Sequence, residues 1–195
     1  MILHPTETVV SMSGDPWDDG AVAAARKLKG YLTPRPFVCL VPGVDGARAL
    51  TQAWPPAAEL LAEAFWPGPL TLVLPASPDA PAAVAEGGAI AVRPAADPVS
   101  SALMAAWNRA LFSTSANRRG ETPPTDVSRA LAALAAAPGG EAIEVALAPS
   151  ERSEPAGRPS TIVDVGATPP RLVRAGAIPV ERIRGVVGEL EEEPL

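Results

Sequence analysis

The sequence contains very few of the residues that carry most acid–base and metal chemistry. Its 195 residues include one cysteine and one histidine. A lone cysteine excludes a disulfide framework, and one cysteine with one histidine excludes the usual zinc sites. A Ser-His-Asp triad would need His4 as its base, but the place of His4 at the end of a predicted strand favours a structural hydrogen bond. Cys39 lies inside an apolar run, which indicates a buried thiol.

Long apolar segments and an excess of positive charge are absent as well. No run reaches the roughly 20 residues of a membrane helix, and the polar stretch PTET begins at residue 5, where a signal peptide would need an apolar region. We therefore expect a soluble cytoplasmic protein. The formal net charge is −6, unlike the strongly basic surface of a dedicated nucleic-acid-binding protein. The sequence has neither a P-loop nor a GxGxxG motif after a strand.

Short apolar runs alternate with helical patterns and proline-rich turns. Hydrophobic residues make up 47% of the chain, and 24 prolines punctuate the ends of the predicted elements. Most runs are continuous, which favours buried strands. The pattern predicts a single α/β (α+β) domain over residues 1–188, with a mixed β-sheet flanked by helices. Residues 189–195 contain four acids and no base, and we predict that they form a disordered tail.

The predicted elements are short. The predicted strands cover residues 1–4, 37–41, 70–75, 89–93, 110–113, 143–147, 161–165 and 171–174. The predicted helices cover residues 19–29, 98–109, 126–136 and 179–188, of which the first has acids at its start and Gly30 just beyond its end. Asp97-Pro98 is a typical helix start, and residues 148–159 are predicted to be a mobile loop. The order of the strands does not follow from these patterns.

Polar residues gather in five segments that interrupt the apolar strands. These segments are residues 5–15, 27–37, 91–98, 112–124, and 157–165 together with 171–178. Hydroxyls, one amide and scattered cations suit the binding of an anion, and transfer of a phosphoryl or nucleotidyl group depends more on positioning than on acid–base chemistry. Taken alone, the segments are better explained by an ordinary turn, a strand-end charge or hydroxyls at a strand edge, and no single one indicates a ligand site.

Six motifs in these regions follow one another in a recognisable order. They are PTET (5–8), WPGPLTLVLP (66–75), AVRPAADP (91–98), STSANRRGETPPT (113–125), RPSTIVDV (158–165) and RAGAI (174–178). In this order they resemble the YrdC-like family, the family of threonylcarbamoyl-AMP synthases. The resemblance spans about residues 3–178, and its most specific parts are WPGPLTLVLP and the STSAN segment. The chain resembles the form that consists of the YrdC domain alone.

The resemblance implies a fold and a reaction. The fold would be an α/β domain with a twisted mixed sheet and a large concave pocket. The reaction would be that of a nucleotidyltransferase, which joins L-threonine, bicarbonate and ATP into L-threonylcarbamoyladenylate and releases pyrophosphate. The product would serve t6A modification of tRNA through the transferase proteins of that pathway. ATP would bind as a substrate with Mg2+ held through its phosphates, and no protein ligand for a metal is predicted.

The same resemblance implies roles for individual residues. The L-threonine site would contain Thr8, Arg93, Ser113 and Ser160, with the Arg93 guanidinium on the carboxylate. The ATP site would contain Lys29, Arg35, Ser115, Asn117 and Arg174. Three of these, Lys29, Ser115 and Asn117, would be the catalytic residues.

Two motifs in the first third of the chain depart from the family pattern. The family has PT[DE]TxYGL, and this chain has Val10-Ser11-Met12 in place of the last three residues. The family's KxR element is Lys29-Gly30-Tyr31 here, so a tyrosine stands in place of an arginine. Loss of a charge-assisted contact costs roughly 1.5–3 kcal/mol. Candidates to replace the arginine are Arg35, Arg118 and Arg119.

Two hypotheses of different classes therefore stay open. The first is a threonylcarbamoyl-AMP synthase. The second is a catalytically divergent paralogue that binds a nucleotide, double-stranded RNA or tRNA without making the adenylate. Some family members bind double-stranded RNA, and the arginine cluster that would support this here consists of Arg109, Arg118, Arg119 and Arg129. The near-neutral charge of the chain before its acidic tail opposes RNA binding. A third hypothesis is a related fold that forms another acyl-adenylate.

Overall fold

A computed structural model describes residues 1–33 and 35–192 of the chain. The strands are β1 (Ile2–His4), β2 (Ser11–Gly14), β3 (Val38–Val41), β4 (Leu70–Pro75), β5 (Ala89–Pro94), β6 (Leu111–Ser115), β7 (Val145–Ala146), β8 (Thr161–Asp164), β9 (Arg171–Arg174) and β10 (Glu191–Glu192). The helices are α1 (Asp19–Lys29), α2 (Val44–Ala49), α3 (Pro56–Phe65), α4 (Pro98–Trp107), α5 (Val127–Ala135) and α6 (Val180–Val187). Within the described ranges, no helix has the length and apolar character needed to span a membrane.

The strands of the described residues form one mixed sheet in the order β10-β9-β8-β4-β5-β3-β6-β2-β1-β7. β3 runs parallel to β5 and β4 parallel to β8, whereas β6 runs antiparallel to both β2 and β3. The predicted single α/β domain with a mixed sheet is confirmed. This order brings together motifs that are far apart in sequence, because β6 lies between β2 and β3 and next but one to β5.

One face of the sheet carries the main hydrophobic core. A row of directly paired residues crosses five neighbouring strands on this face: Val163, Leu72, Val92, Cys39 and Phe112. All five are fully buried, and apolar side chains from α1, α3, α5 and α6 pack into the same cluster. Burial of each large apolar side chain contributes roughly 1.5–3 kcal/mol. The helices therefore cover this face and leave the other face available for polar residues.

The opposite face is divided between a small apolar cluster and a row of hydroxyls. The cluster includes a residue from α4 and consists of Leu40, Ala95, Met104 and Leu111. Further along the same strands, Ser113 pairs with Ser13 and Ser115 pairs with Ser11. Because side chains alternate between the faces of a strand, these serines point away from the core that Phe112 enters. The STSAN segment thus places hydroxyls on the face that the core helices leave free.

The helix-capping signals act as predicted. Asp18 accepts hydrogen bonds from two backbone amides in the first turn of α1, and Gly30 ends the helix in the left-handed conformation with φ 66°. Asp97 caps α4 in the same way, and Pro98 is the first residue of that helix. The bounds of α1 agree with the prediction, and those of α4 agree within two residues at the C-terminal end.

The sequence patterns did not predict four elements: β2, α2, α3 and β10. The sequence of β2, Ser-Met-Ser-Gly, has too little apolar character to indicate a strand, although all four residues are buried. α2 is a single short segment with a glycine inside it. α3 follows Pro55 with no side-chain cap hydrogen bond, and its alanines conceal the amphipathic pattern.

The acidic tail is partly ordered, which corrects the prediction of a disordered segment from residue 189. Glu191–Glu192 form β10, which pairs in parallel with β9, and Leu190 is buried. Glu192 also forms an ion pair with Arg184 of α6. The single leucine among the acids provides an apolar anchor that the charge count conceals. Residues 193–195 lie outside the described residues.

Candidate active site

A cavity of about 450 Å3 lies on the polar face of the sheet. We call it the central cavity. Its floor contains the small side chains Ala89, Ala91 and Ser113, which leave room above β5 and β6. The other described lining residues are Thr8, Val9, Ser11, Lys29, Tyr31, Pro36, Phe37, Val38, Val73, Arg93, Thr114, Ser115, Pro123, Pro159, Ser160, Ile162, Val173 and Arg174. The lining includes residues from all five polar segments identified in the sequence.

Arg93 reaches the central cavity from the end of β5. Its guanidinium forms an ion pair with Glu7 and donates a hydrogen bond to Thr8 Oγ1 at 3.4 Å. The other carboxylate oxygen of Glu7 accepts from the backbone amide of Ala96 at 3.3 Å. Arg93 is only 5% exposed, and a buried guanidinium requires such compensation. The ion pair therefore holds Arg93 in one orientation at the edge of the cavity.

The PTET segment forms a tight turn that is closed by its own hydroxyls. Thr6 Oγ1 donates to the carbonyl of Val9 at 2.6 Å and accepts from the backbone amides of Thr8 and Val9, both at 3.2 Å. The hydroxyl oxygens of Thr6 and Thr8 lie 2.8 Å apart. Thr8 Oγ1 therefore connects the turn to Arg93, from which it accepts a hydrogen bond.

The loop that precedes Ser160 is attached to the same turn. The amides of Ala156 and Gly157 donate to the carbonyls of Glu7 and Thr8 at 3.0 and 2.9 Å. These backbone bonds fix one side of the central cavity. They also connect the PTET and RPST motifs directly.

Lys29 reaches the opposite side of the cavity from the last turn of α1. Its Nζ donates to the carbonyl of Ser115 at 2.9 Å, to Ser115 Oγ at 3.2 Å and to Asn117 Oδ1 at 3.2 Å. Burial lowers the pKa of Lys29 to about 8, against a smaller upward effect of the Glu121 carboxylate. The ammonium is thus surrounded by neutral oxygens, and an anionic ligand would stabilise its charge.

Asn117 supports Lys29 from outside the lining of the cavity. Its Oδ1 accepts from Lys29, and its Nδ2 donates to the carbonyls of Arg118 and Glu121 at 2.9 and 2.7 Å. The residue is buried and does not line the central cavity. In this structure, Asn117 therefore positions Lys29 and the following turn.

Arg174 approaches the cavity from β9. Its guanidinium donates to the Ser160 carbonyl at 2.8 and 3.2 Å and to Ser160 Oγ at 3.1 Å. Ser160 Oγ also lies 2.8 Å from Thr71 Oγ1 of β4. Burial, and in second place the charge of Arg93, lowers the pKa of Arg174. Both guanidinium groups belong to the lining of the central cavity.

The electrostatic character of the central cavity follows from these contacts. Its described lining includes three basic side chains, Lys29, Arg93 and Arg174, and no acidic one. Within residues 1–33 and 35–192, neither Lys29 nor Arg174 has a carboxylate within ion-pair distance. The same part of the chain contains no group of three His, Cys, Asp or Glu side chains that could hold a metal ion. A ligand with several negative charges fits this site best.

Most of the predicted site residues lie together. The structure brings Thr8, Lys29, Arg93, Ser113, Ser115, Ser160 and Arg174 to the lining of the central cavity. Asn117 lies behind Lys29. Arg35 is exposed and does not line the cavity; its guanidinium carbon lies 6.0 Å from the centre of the Tyr31 ring. Arg35 therefore lies beside the Tyr31 ring, which lines the central cavity, and not with the predicted site residues in the lining.

Three residues of the site received no role in the sequence analysis. Glu7 belongs to the PTET motif, and its buried neighbour Arg93 explains why an acid occurs there. Thr71 lies in WPGPLTLVLP, where its hydroxyl interrupts an otherwise apolar strand. Ser11 lines the cavity opposite Ser115. Ser11 and Ser13 alternate with Met12 and Gly14, and this alternation could have indicated a strand with both serines on one face.

His4 and Cys39 have structural surroundings. His4 Nε2 lies 2.8 Å from Ser13 Oγ and Nδ1 lies 3.1 Å from the carbonyl of Pro5. Burial lowers the pKa of His4 to about 4, so that the ring is neutral at physiological pH, and burial raises the pKa of the Cys39 thiol to about 12. Neither residue lines the central cavity. The expectations of a hydrogen-bonded histidine and a buried thiol are confirmed.

The fold is a single α/β domain whose polar sheet face carries a cavity lined by basic and hydroxyl side chains. A family model described as Telomere recombination, Sua5/YciO/YrdC, matches residues 1–176. The chain therefore belongs to the Sua5/YciO/YrdC family, as its motifs predicted. The family match covers both halves of the chain, and motifs from both halves meet at the central cavity.

Relatives of the chain include proteins named threonylcarbamoyl-AMP synthase. One, from Alkalilimnicola ehrlichii, is 37% identical over 169 residues, which are 84% of each chain. Another, from Pyrococcus abyssi, is 34% identical over 126 residues, which are 64% of this chain and 37% of the relative. The structure of P. abyssi Sua5 complexed with L-threonine superposes with a TM-score of 0.87 at 32% identity, over 99% of this chain and 55% of that one. The chain thus spans about half of the solved relative.

Proposed function

We propose that this protein is a threonylcarbamoyl-AMP synthase, which forms L-threonylcarbamoyladenylate and pyrophosphate from L-threonine, bicarbonate and ATP. The observation that carries the proposal is the joint placement of Arg93 with Thr8 and of Lys29 with Ser115 around one cavity. A guanidinium suits the carboxylate of an amino acid, and an ammonium among hydroxyls suits a phosphate. The relative from A. ehrlichii, which matches over most of both chains, supports the same reaction.

The reaction requires two substrates to meet in the central cavity. In the proposed reaction, the amine of threonine and CO2 derived from bicarbonate form a carbamate with loss of a proton. A carbamate oxygen then attacks the α-phosphorus of ATP, and the bond to the β-phosphate oxygen breaks to release pyrophosphate. Arg93 and Thr8 would bind the threonine, and Ser113 and Ser160 would complete that site. Lys29 with Ser115 would bind the phosphates.

Charge stabilisation is the main contribution expected from the protein. Negative charge builds up on the phosphate oxygens as pyrophosphate leaves. Among the basic side chains in the described lining of the cavity, Lys29 and Arg174 have no carboxylate within ion-pair distance. Mg2+ held by the ATP phosphates would supply further positive charge. Asn117 would act by holding Lys29 in place. The adenylate would pass to transferase proteins of the t6A pathway for tRNA modification.

A second candidate is favoured by Tyr31, which lines the central cavity where the family resemblance implies an arginine. A triphosphate site that lacks one cation could bind a nucleotide without turnover. The RNA-binding version has less support, because Arg109 forms an ion pair with Asp15 at 3.4 Å and lies over the rings of Trp17 and Trp107. Arg109, one of the four arginines that would support RNA binding, is therefore already in contact with other side chains of the protein.

The deciding experiment is pyrophosphate release from ATP with L-threonine, bicarbonate and Mg2+. The synthase proposal predicts release that requires all three substrates and that is lost in Arg93→Gln. Arg48→Gln is the matched control, because Arg48 is an exposed arginine paired with Glu59. ATP binding without any pyrophosphate release above a buffer control would reject the synthase and favour the divergent nucleotide-binding protein.

A further inference from the structure

The charges around the central cavity are distributed unevenly. Arg93 has a carboxylate partner, Glu7. Lys29 and Arg174 are held by neutral oxygens of Ser115, Asn117 and Ser160. The charge of Arg93 is therefore balanced by its own partner, whereas Lys29 and Arg174 bring positive charge to the cavity that no carboxylate balances within ion-pair distance among the described residues.

Glu7 is held firmly in this arrangement. One of its carboxylate oxygens accepts from Arg93, and the other accepts from the amide of Ala96 just before α4. Its own carbonyl accepts from the amide of Ala156. The Glu7 side chain is 15% exposed and does not line the cavity. Glu7 can therefore affect a ligand only through Arg93 and through its negative charge.

A fixed negative charge repels a nearby anion more strongly as the charge of the anion increases. A guanidinium that is already paired can still donate hydrogen bonds to a second carboxylate, because it has five N–H groups. A polyphosphate brings several negative charges close to Glu7, and the repulsion between like charges grows with each of them. Burial strengthens this repulsion, since the effective dielectric constant is lower than in water.

We infer that Glu7 is a specificity-determining residue that keeps polyphosphates away from Arg93 and reserves this end of the central cavity for a singly charged carboxylate. The inference rests on the proposed function, in which L-threonine and ATP bind together. Polyphosphates are directed toward Lys29 on the opposite side of the cavity, and a dead-end complex with a phosphate in the amino-acid site is avoided. Glu7 acts as a positioning residue for Arg93 and as an electrostatic barrier.

The test is a binding competition with the full chain, inorganic pyrophosphate and L-threonine, measured by calorimetry without ATP. In the natural protein, pyrophosphate and L-threonine should bind together without competition. In Glu7→Gln, which keeps the shape and removes the charge, pyrophosphate should compete with L-threonine and bind about tenfold more tightly. Glu154→Gln is the matched control, because it removes one exposed acid from the loop attached to Glu7, and it should behave like the natural protein.

A second variant separates charge from hydrogen bonding. Glu7→Asp keeps the negative charge but shortens the reach to Arg93 and Ala96. It should continue to exclude pyrophosphate, even where L-threonine binds less tightly. Competition in Glu7→Asp that is as strong as in Glu7→Gln would overturn the electrostatic role.

The outcomes distinguish this inference from the proposed function. Competition between pyrophosphate and L-threonine in the natural protein, or its absence in Glu7→Gln, overturns the role of Glu7 and leaves the synthase proposal intact. Failure of the natural protein to bind either compound overturns both. Thermal melting of each variant shows whether it is folded before binding is interpreted.

Discussion

Lys29 and Asn117 are 88 residues apart in sequence and are joined by a hydrogen bond of 3.2 Å between Nζ and Oδ1. The bond ties the end of α1 to the turn that follows β6. The amide of Arg119 donates to the carbonyl of Lys29 at 3.0 Å and strengthens this link. Since Asn117 also bonds to the carbonyls of Arg118 and Glu121, one amide organises both the cation and the turn.

Replacement of Asn117 by alanine should destabilise the protein. The change removes one acceptor for Lys29 and leaves two carbonyls of a tight turn without their donor. We expect the free energy of unfolding to fall by about 1–3 kcal/mol, as measured by urea denaturation. Gln52→Ala removes an exposed amide and should change stability by less than about 0.5 kcal/mol. Equal effects of the two changes would contradict the positioning role.

ATP affinity should decrease as the pH rises through about 8. Burial lowers the pKa of Lys29 to about 8, so the ammonium that would contact phosphate is lost above that pH. We expect affinity to fall by about one to two decades between about pH 7 and about pH 10, the value of one charged hydrogen bond. Equilibrium binding of ATP across this range measures the effect.

Stability should respond to pH in the opposite direction. The folded-state pKa of Lys29 lies below the unfolded value of about 10.4, so the unfolded chain binds more protons between the two values. The contribution of Lys29 to the free energy of unfolding therefore rises with pH in that window. Lys29→Met should weaken the pH dependence of both the ATP affinity and the free energy of unfolding. Lys27→Met should preserve both, because Lys27 is an exposed lysine of the same helix. If the free energy of unfolding of the natural protein fell over the same rise in pH that weakens ATP binding, this account would be contradicted.

Tyr31→Arg should strengthen ATP binding. The Tyr31 ring lines the central cavity and lies 6.3 Å from the ring of Phe37. A guanidinium at this position gains a charge-assisted contact with the phosphates, which is worth roughly 1.5–3 kcal/mol or about one to two decades in affinity. Tyr31→Phe is the control, and it should leave ATP affinity unchanged.

Pyrophosphate release by the same variants separates the two candidate functions. Turnover by the natural protein would show that the remaining cations suffice without an arginine at position 31. Turnover only in Tyr31→Arg would indicate a synthase site that has lost one phosphate contact. Unchanged ATP affinity in Tyr31→Arg would contradict the placement of the phosphates beside this residue.

The sequence predicted the elements with strong local signals. α1 was found because Asp18 and Gly30 mark its ends, and β4 was found because its apolar run is flanked by prolines. β2 was missed because three of its four residues are serine or glycine, which do not indicate a buried strand. They become buried when β2 pairs with β6 in the folded sheet. Leu190 likewise becomes buried only after the chain has folded, so the order of the tail to Glu192 was missed too.

The candidate site was predicted through its motifs more than through its geometry. Arg93 and Lys29 were recognised as cations in polar motifs, and the structure places both at the cavity. The ion pair between Arg93 and Glu7 joins residues 86 apart in sequence, and no local pattern indicates which acid a buried arginine will meet. The role of Asn117 behind Lys29 depends in the same way on the turn that its own Nδ2 holds.

Gly176→Ala should disrupt the part of the site that holds Arg174. A Cβ atom at Gly176 would overlap the backbone of Ser160 and Thr161, at distances shorter than real Cβ atoms show. Overpacking against backbone costs typically about 1–3 kcal/mol, and displacement of Ser160 would also move the carbonyl that accepts from Arg174. Thermal unfolding and ATP binding should therefore both be impaired. Gly185→Ala in α6 meets nothing within 4 Å, so it should stabilise the protein by about 0.5–1 kcal/mol, and destabilisation by both changes would contradict the close approach at Gly176.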